Sequence, residues 1–129
     1  MELSLDRPGD HLFIRSVSDA GIQVVERVYP GPLIISASEL HSDWPVANVG
    51  DLDERSLEPV FALAPQVVLL GTGSKQFFPD PQVMMCFHRR AIGIEVMATP
   101  AACRTFNVLV SERRNVVAAL LPPALEPHG

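Results

Sequence analysis

Apolar residues alternate with polar ones in short stretches through the amino half of the chain. In the carboxyl half they form continuous runs and helical spacings, and this change of pattern predicts two kinds of structure. From His11 to Val17, Phe13, Arg15 and Val17 alternate with Leu12, Ile14 and Ser16, the turn residues Ser18-Asp19-Ala20-Gly21 follow, and a second extended run occupies Ile22 to Val28. Successive strand side chains point to opposite faces, so two such runs about a glycine-containing turn predict an antiparallel hairpin. Tyr29-Pro30-Gly31-Pro32 breaks the chain before Leu33-Ile34-Ile35, a third short strand by its β-branched content. Irregular or short-strand structure is expected through Trp44, Pro45 and Gly50. Ser56 is placed to cap a helix whose first turn accepts Pro59, because the N–H that proline lacks would be unpaired there anyway. Leu57 and Phe61 then share a face of that helix.

Gln66-Val67-Val68-Leu69-Leu70 is apolar on both faces before Gly71, the mark of a strand buried at the centre of a sheet. Beyond Pro79 and Pro81, Val83, Phe87 and Ala91 recur every fourth residue, with Arg89 and Arg90 near the favourable negative end of the predicted helix and Gly93 closing it. Ile94 to Met97 is the next strand, giving a βαβ unit with parallel strands. Thr99 is predicted as an N-cap, Pro100 as the first helical residue, and Ala102, Phe106, Leu109 and Val110 as the inward face of a second helix, before a last strand from Val116 to Leu121. The expected fold is an α/β single domain: a mixed sheet with an N-terminal antiparallel hairpin, a C-terminal βαβαβ half, and helices packed on the sheet.

At 129 residues, 47% apolar and 19% charged, the chain suffices for one core and lacks the composition of disorder. That domain spans residues 1–121, and the prolines Pro122, Pro123 and Pro127 predict a disordered tail over 122–129. Net charge is −5, and the basic residues are scattered apart from Arg89-Arg90 and Arg113-Arg114, so no stripe is present to neutralise a nucleic-acid backbone. The runs Val67 to Leu70 and Val116 to Leu121 fall far short of the roughly 20 apolar residues of a membrane span. Glu2, Asp6 and Asp10 give the first ten residues neither secretory nor transit-peptide character, which predicts a cytoplasmic protein. Cys86 and Cys103 form no C-x-x-C pair and are expected as reduced thiols.

Gly71-Thr72-Gly73-Ser74-Lys75 after the buried strand invites comparison with a phosphate-binding loop. The Walker pattern G-x-x-x-x-G-K-S/T is not met, since the spacing is too short and Pro79-Asp80-Pro81 intervenes. Two explanations remain open: both glycines serve a tight turn with positive φ, or the loop shares one sheet edge with Thr99 to Cys103. In the second case Gly71, Thr72, Gly73, Ser74 and Lys75 would join Thr99, Cys103, Arg104 and Asn107 in an anion or ligand pocket, Lys75 and Arg104 supplying charge and Asn107 an amide one turn further on. Cys103, in the first turn of its helix beside Arg104, is either an activated thiol or a small core residue. Asp51, Asp53 and Glu54 begin like a calcium loop, but Arg55 and Ala62 stand where ligands are required. No nucleophile, acid–base or metal constellation is complete, so no catalytic residue, metal or cofactor is predicted.

The segments Val67-Val68-Leu69-Leu70-Gly71-Thr72-Gly73-Ser74-Lys75-Gln76 and Ile92-Gly93-Ile94-Glu95-Val96-Met97-Ala98-Thr99-Pro100-Ala101-Ala102-Cys103-Arg104-Thr105-Phe106-Asn107 carry a resemblance. The chain resembles, over roughly Asp10 to Leu121, the domain-of-unknown-function family that contains mitochondrial respiratory complex I assembly factor 3. The resemblance implies a compact mixed α/β domain and a non-enzymatic accessory role on a protein partner, respiratory complex subunits being the candidates. It supplies no catalytic residues. The mitochondrial members are similar to chaperone-like factors, and the want of a transit peptide here is what a bacterial member would show.

Overall fold

The computed structural model describes residues 11–123. The predicted disordered tail therefore falls almost wholly outside the described residues: Pro122 is buried, Pro123 half-buried, and 124–129 lie beyond them.

Among the described residues eight strands and three α-helices follow one another as β1 (Ile14–Ser18), β2 (Gly21–Val24), β3 (Arg27–Tyr29), β4 (Leu33–Ile35), β5 (Leu40–His41), α1 (Glu58–Phe61), β6 (Val67–Thr72), α2 (Pro81–Arg89), β7 (Gly93–Met97), α3 (Thr99–Ser111) and β8 (Val116–Leu121), with a 3-10 turn at Val49–Asp51 before α1. They make a five-stranded sheet in the order β5-β4-β8-β6-β7 and a three-stranded sheet β1-β2-β3. β6 pairs in parallel with both β7 and β8, which is the expected βαβαβ half, while β4 runs antiparallel to β8 and to β5.

The strands that read as apolar on both faces are those buried on both. Leu33, Ile35, Leu69, Ala118 and Leu120 face a core shared with Ala102, Cys103, Phe106 and Val110 of α3 and with Ile14, Ile22 and Val24 of the small sheet. Ile34, Val68, Leu70, Ala119 and Leu121 face the other way, onto Trp44, Val60, Val83 and Phe87. All ten of the large-sheet residues named are at most 2% exposed. Thus α3 and the small sheet cover one face, and α1, α2 and the segment around Trp44 cover the other. Trp44 anchors that segment by donating its indole N–H to the Ser56 carbonyl at 2.8 Å.

Four expectations are corrected. The run Ile22 to Val28 is two strands, because Val24 pairs with Arg27 and leaves Val25-Glu26 as a tight turn, so the hairpin extends to a three-stranded meander in its own sheet. Val25 takes φ 54°, a conformation that β-branched residues seldom adopt, and so the pattern carried no turn signal. Ser56 does not cap α1: Leu57 stands at the cap without a side-chain bond, while Ser56 trades hydrogen bonds with Asp53. Helix α2 ends at Arg89, with Ala91 rather than Gly93 adopting the left-handed conformation (φ 55°), and Gly93 opens β7. Finally, Ala98 occupies the cap of α3, making Thr99 its first residue and Pro100 its second.

Candidate functional site

The loop after β6 and the start of α3 do meet, and they close on each other. The Thr99 N–H donates to the Gly73 carbonyl at 2.7 Å, the Gly73 N–H donates to Thr99 Oγ1 at 2.8 Å, and that hydroxyl donates in turn to the Leu121 carbonyl at 2.5 Å. One buried threonine thereby ties together the ends of β6 and β8 and the beginning of α3. Thr72 is equally inward: its hydroxyl donates to the Lys75 carbonyl at 2.6 Å and accepts from the Phe77 N–H at 3.0 Å. The N–H groups of Gly73, Phe77 and Thr99, which a phosphate loop could turn towards a ligand, are here given to acceptors within the protein. Ser74 and Lys75 remain exposed on the outside of the turn.

The two glycines have different duties. Gly73 carries φ 102°, as a turn glycine should, whereas Gly71 is a strand residue needed for close approach. A Cβ on Gly71 would lie 2.9 Å from Leu120 Cδ2 and from Thr99 Oγ1, and 3.1 Å from Thr99 Cα. Since part of that obstacle is backbone, Gly71→Ala is expected to cost about 1–3 kcal/mol. Urea unfolding should show a lower midpoint at unchanged slope.

The other half of the predicted pocket lies elsewhere. Pro100, Cys103, Arg104 and Asn107 of α3 line a cleft of about 240 Å3 whose opposite wall is residues 14–17 of β1, and residues 71–75 are not among its lining. Between loop and helix the contact is direct, through the two Gly73–Thr99 bonds, and Arg104 lines the cleft against β1. Asn107 is a structural clamp: it accepts the Ile14 N–H at 2.8 Å and donates to the Ile14 carbonyl at 2.7 Å, acting as a strand neighbour for β1. A bulge lies immediately beyond, between Ile14 and Ser16, and Arg15 sits on it.

Cys103 is 3% exposed, and burial pushes its thiol up to about 12, with the positive charge of Arg104 acting in the opposite sense. A thiol so raised is protonated at neutral pH, which supports the core-residue alternative over the activated one. Iodoacetamide at neutral pH should label Cys103 far more slowly in the native protein than in urea, read by peptide mass spectrometry. Equal rates would contradict the burial described.

Residues 14–121 match the family described as protein of unknown function (DUF498/DUF598), a span that runs from the first residue of β1 to the last of β8. The chain belongs to this family. It is 33% identical over 120 residues to NADH dehydrogenase (ubiquinone) 1 alpha subcomplex assembly factor 3 of Xenopus tropicalis, covering 92% of this chain and 65% of that protein, so it spans less than two thirds of the frog relative. It is also 33% identical over 89 residues to the 13 kDa major membrane protein of Francisella tularensis, covering 68% of this chain and 72% of that one. An NMR structure of a Xanthomonas campestris protein superposes with a TM-score of 0.83 at 37% identity, covering 100% of this chain and 98% of the other. The resemblance drawn from the two segments therefore holds.

Two features of this DUF498/DUF598 domain were missed in the sequence. One is the β1 wall of the cleft, which reaches α3 across 93 residues of chain at the Asn107–Ile14 contact and leaves no local signal. The other is a groove of about 490 Å3 between α2 and residues 50–54, with Asp53, Asp80, Met85 and Arg89 in its lining. Beside it, Arg90 donates to Glu54 at 2.7 Å, and this bond with the guanidinium charge holds the Glu54 carboxyl below its usual range. Asp53 and Glu54, which begin like a calcium loop, thus belong to a groove and an ion pair. Their signal was present as acids before a helix, but nothing local tied them to Arg90, 36 residues away at the end of α2.

Proposed function

We propose that this chain is an accessory factor that works by binding a protein during assembly of a respiratory complex, without catalysing a reaction itself. What carries this reading is the assembly-factor name of the frog relative, whose similarity extends over 92% of the chain. Surface character supports it. Phe78 is 70% exposed and Met85 49%, and apolar side chains of this size in water suit a protein contact. The raised Cys103 thiol supports the non-catalytic part of the proposal, since it removes the strongest nucleophile candidate.

Brief cross-linking in the cells that make the protein, followed by affinity purification and mass spectrometry, tests the reading. Subunits of the NADH dehydrogenase should be enriched over a tag-only control, and Phe78→Ser combined with Met85→Ser should reduce that enrichment. If no respiratory subunit is enriched, the assembly role is wrong for this chain. Cytoplasmic residence belongs to the same proposal. Recovery of the protein in washed membranes after carbonate extraction would overturn that part alone.

A further inference from the structure

Among the described residues the two sheets have four edges, and three of them are blunted. β5 is two residues long and β3 three. β1 carries a bulge between Ile14 and Ser16, and the Asn107 amide already pairs with the Ile14 backbone. β7 differs. Its five residues keep an unbroken register with β6, from Val67 opposite Gly93 to Gly71 opposite Met97, and no described strand lies on its other side. The Gly93 N–H donates to the Gln66 carbonyl, so by alternation Gly93, Glu95 and Met97 turn their backbone groups to β6 while Ile94 and Val96 turn theirs outward. The Val96 carbonyl agrees with that direction, since it accepts from the Gln76 side-chain amide at 2.8 Å. The Ile94 N–H and carbonyl and the Val96 N–H have no partner among the described residues. A straight, open edge of this kind is a template for another strand.

We infer that the free edge of β7 takes up an extended segment of another protein, which joins the large sheet as a new edge strand and carries a basic residue opposite Glu95. Main-chain hydrogen bonds supply the affinity in this mode of binding, and alternate side chains supply the choice of partner. Two observations select the occupant. Ile94 and Val96 are half-buried and pack against the core on the α2 side of the sheet, so a segment with apolar residues at the two facing positions extends that core. Glu95, between them in sequence, belongs to the opposite face, is exposed and makes no ion pair among the described residues, which favours a lysine or arginine across from it. A second copy of the chain fits poorly. The antiparallel register that joins the outward groups of Ile94 and Val96 in both copies sets one Glu95 directly against the other, and like charges so placed repel. The inference is independent of whether the partner belongs to a respiratory complex.

The test is NMR on the intact protein, with the synthetic peptide acetyl-Thr-Val-Lys-Val-Thr-amide as the probe. In the free protein the amide hydrogens of Gly93 and Glu95 should exchange slowly and those of Ile94 and Val96 fast. Equal protection at all four means that the edge is already filled, by this chain or by a second copy, and overturns the inference. With the peptide at millimolar concentration, saturable shifts are expected at the Ile94 and Val96 amides and at the Gln76 side-chain amide, which gives up the Val96 carbonyl. Methylating the two valine nitrogens of the peptide should abolish these shifts, because their N–H groups are the ones that face β7. A peptide with glutamate in place of lysine should bind about fivefold more weakly, and Glu95→Lys, at an exposed position, should reverse that order. Melting curves show that the variant is folded. Absence of saturable shifts, binding that survives methylation, or an order unchanged in Glu95→Lys each overturns the inference.

Discussion

Phe106→Ala is expected to destabilise the fold by about 3–5 kcal/mol, the range for removing a fully buried aromatic ring. Phe106 is 0% exposed and belongs to the core where α3 lies between the two sheets. The cluster around it contains Leu69, Ala118 and Leu120 of the large sheet and Ile14, Ile22 and Val24 of the small one. Ala102 and Ala118 are too short to extend into the space a missing ring would leave, so the void would persist and its cost add to the lost burial. For a domain of this length the melting temperature should fall on the order of 10–20 °C. Val108→Ala on the same helix, at a position 54% exposed, is the control and should stay within about 0.5 kcal/mol. A loss at Phe106 no larger than at Val108 would mean that α3 does not pack as described.

What made the fold legible, and what hid the rest, follows from how far each cause acts along the chain. The βαβαβ half could be read because its evidence is local: Val67 to Leu70 and Val116 to Leu121 are apolar on both faces, and Val83 and Phe87 repeat at helical spacing. The second sheet was hidden because Val25 turns the chain at φ 54° without a glycine, and Ala64, Ala91 and Arg113 make left-handed turns in the same way. Tertiary packing supplies what local preference opposes at these positions. As for the site, the contact of Gly73 with Thr99 was foreseeable, since loops after neighbouring parallel strands share a sheet edge. Its closure was not, because it depends on the Thr99 hydroxyl reaching the Leu121 carbonyl on a third strand. The cleft between β1 and α3 was hidden for a related reason. Only the three-dimensional meeting of the two elements at Ile14 and Asn107 forms it.

Thr99→Val is the substitution that tests the knot itself. Valine keeps the branched shape but removes the oxygen, leaving the Gly73 N–H without its acceptor and the Leu121 carbonyl without its hydroxyl donor in a site that is 0% exposed. Each orphaned buried group costs about 1–3 kcal/mol, so the pair gives a loss of roughly 2–6 kcal/mol. Thr99→Ser retains the hydroxyl and loses one methyl, and should cost only about 1 kcal/mol. The contrast between the two separates hydrogen bonding from packing. A local readout is also available, for the Gly73 amide should exchange its hydrogen faster in Thr99→Val than in Thr99→Ser even after correction for global stability. If valine and serine are equally mild, the hydroxyl is not what joins β6, α3 and β8. If valine is severe, the start of α3 is set by this bond, and with it the position of the helix that carries Arg104 to the cleft.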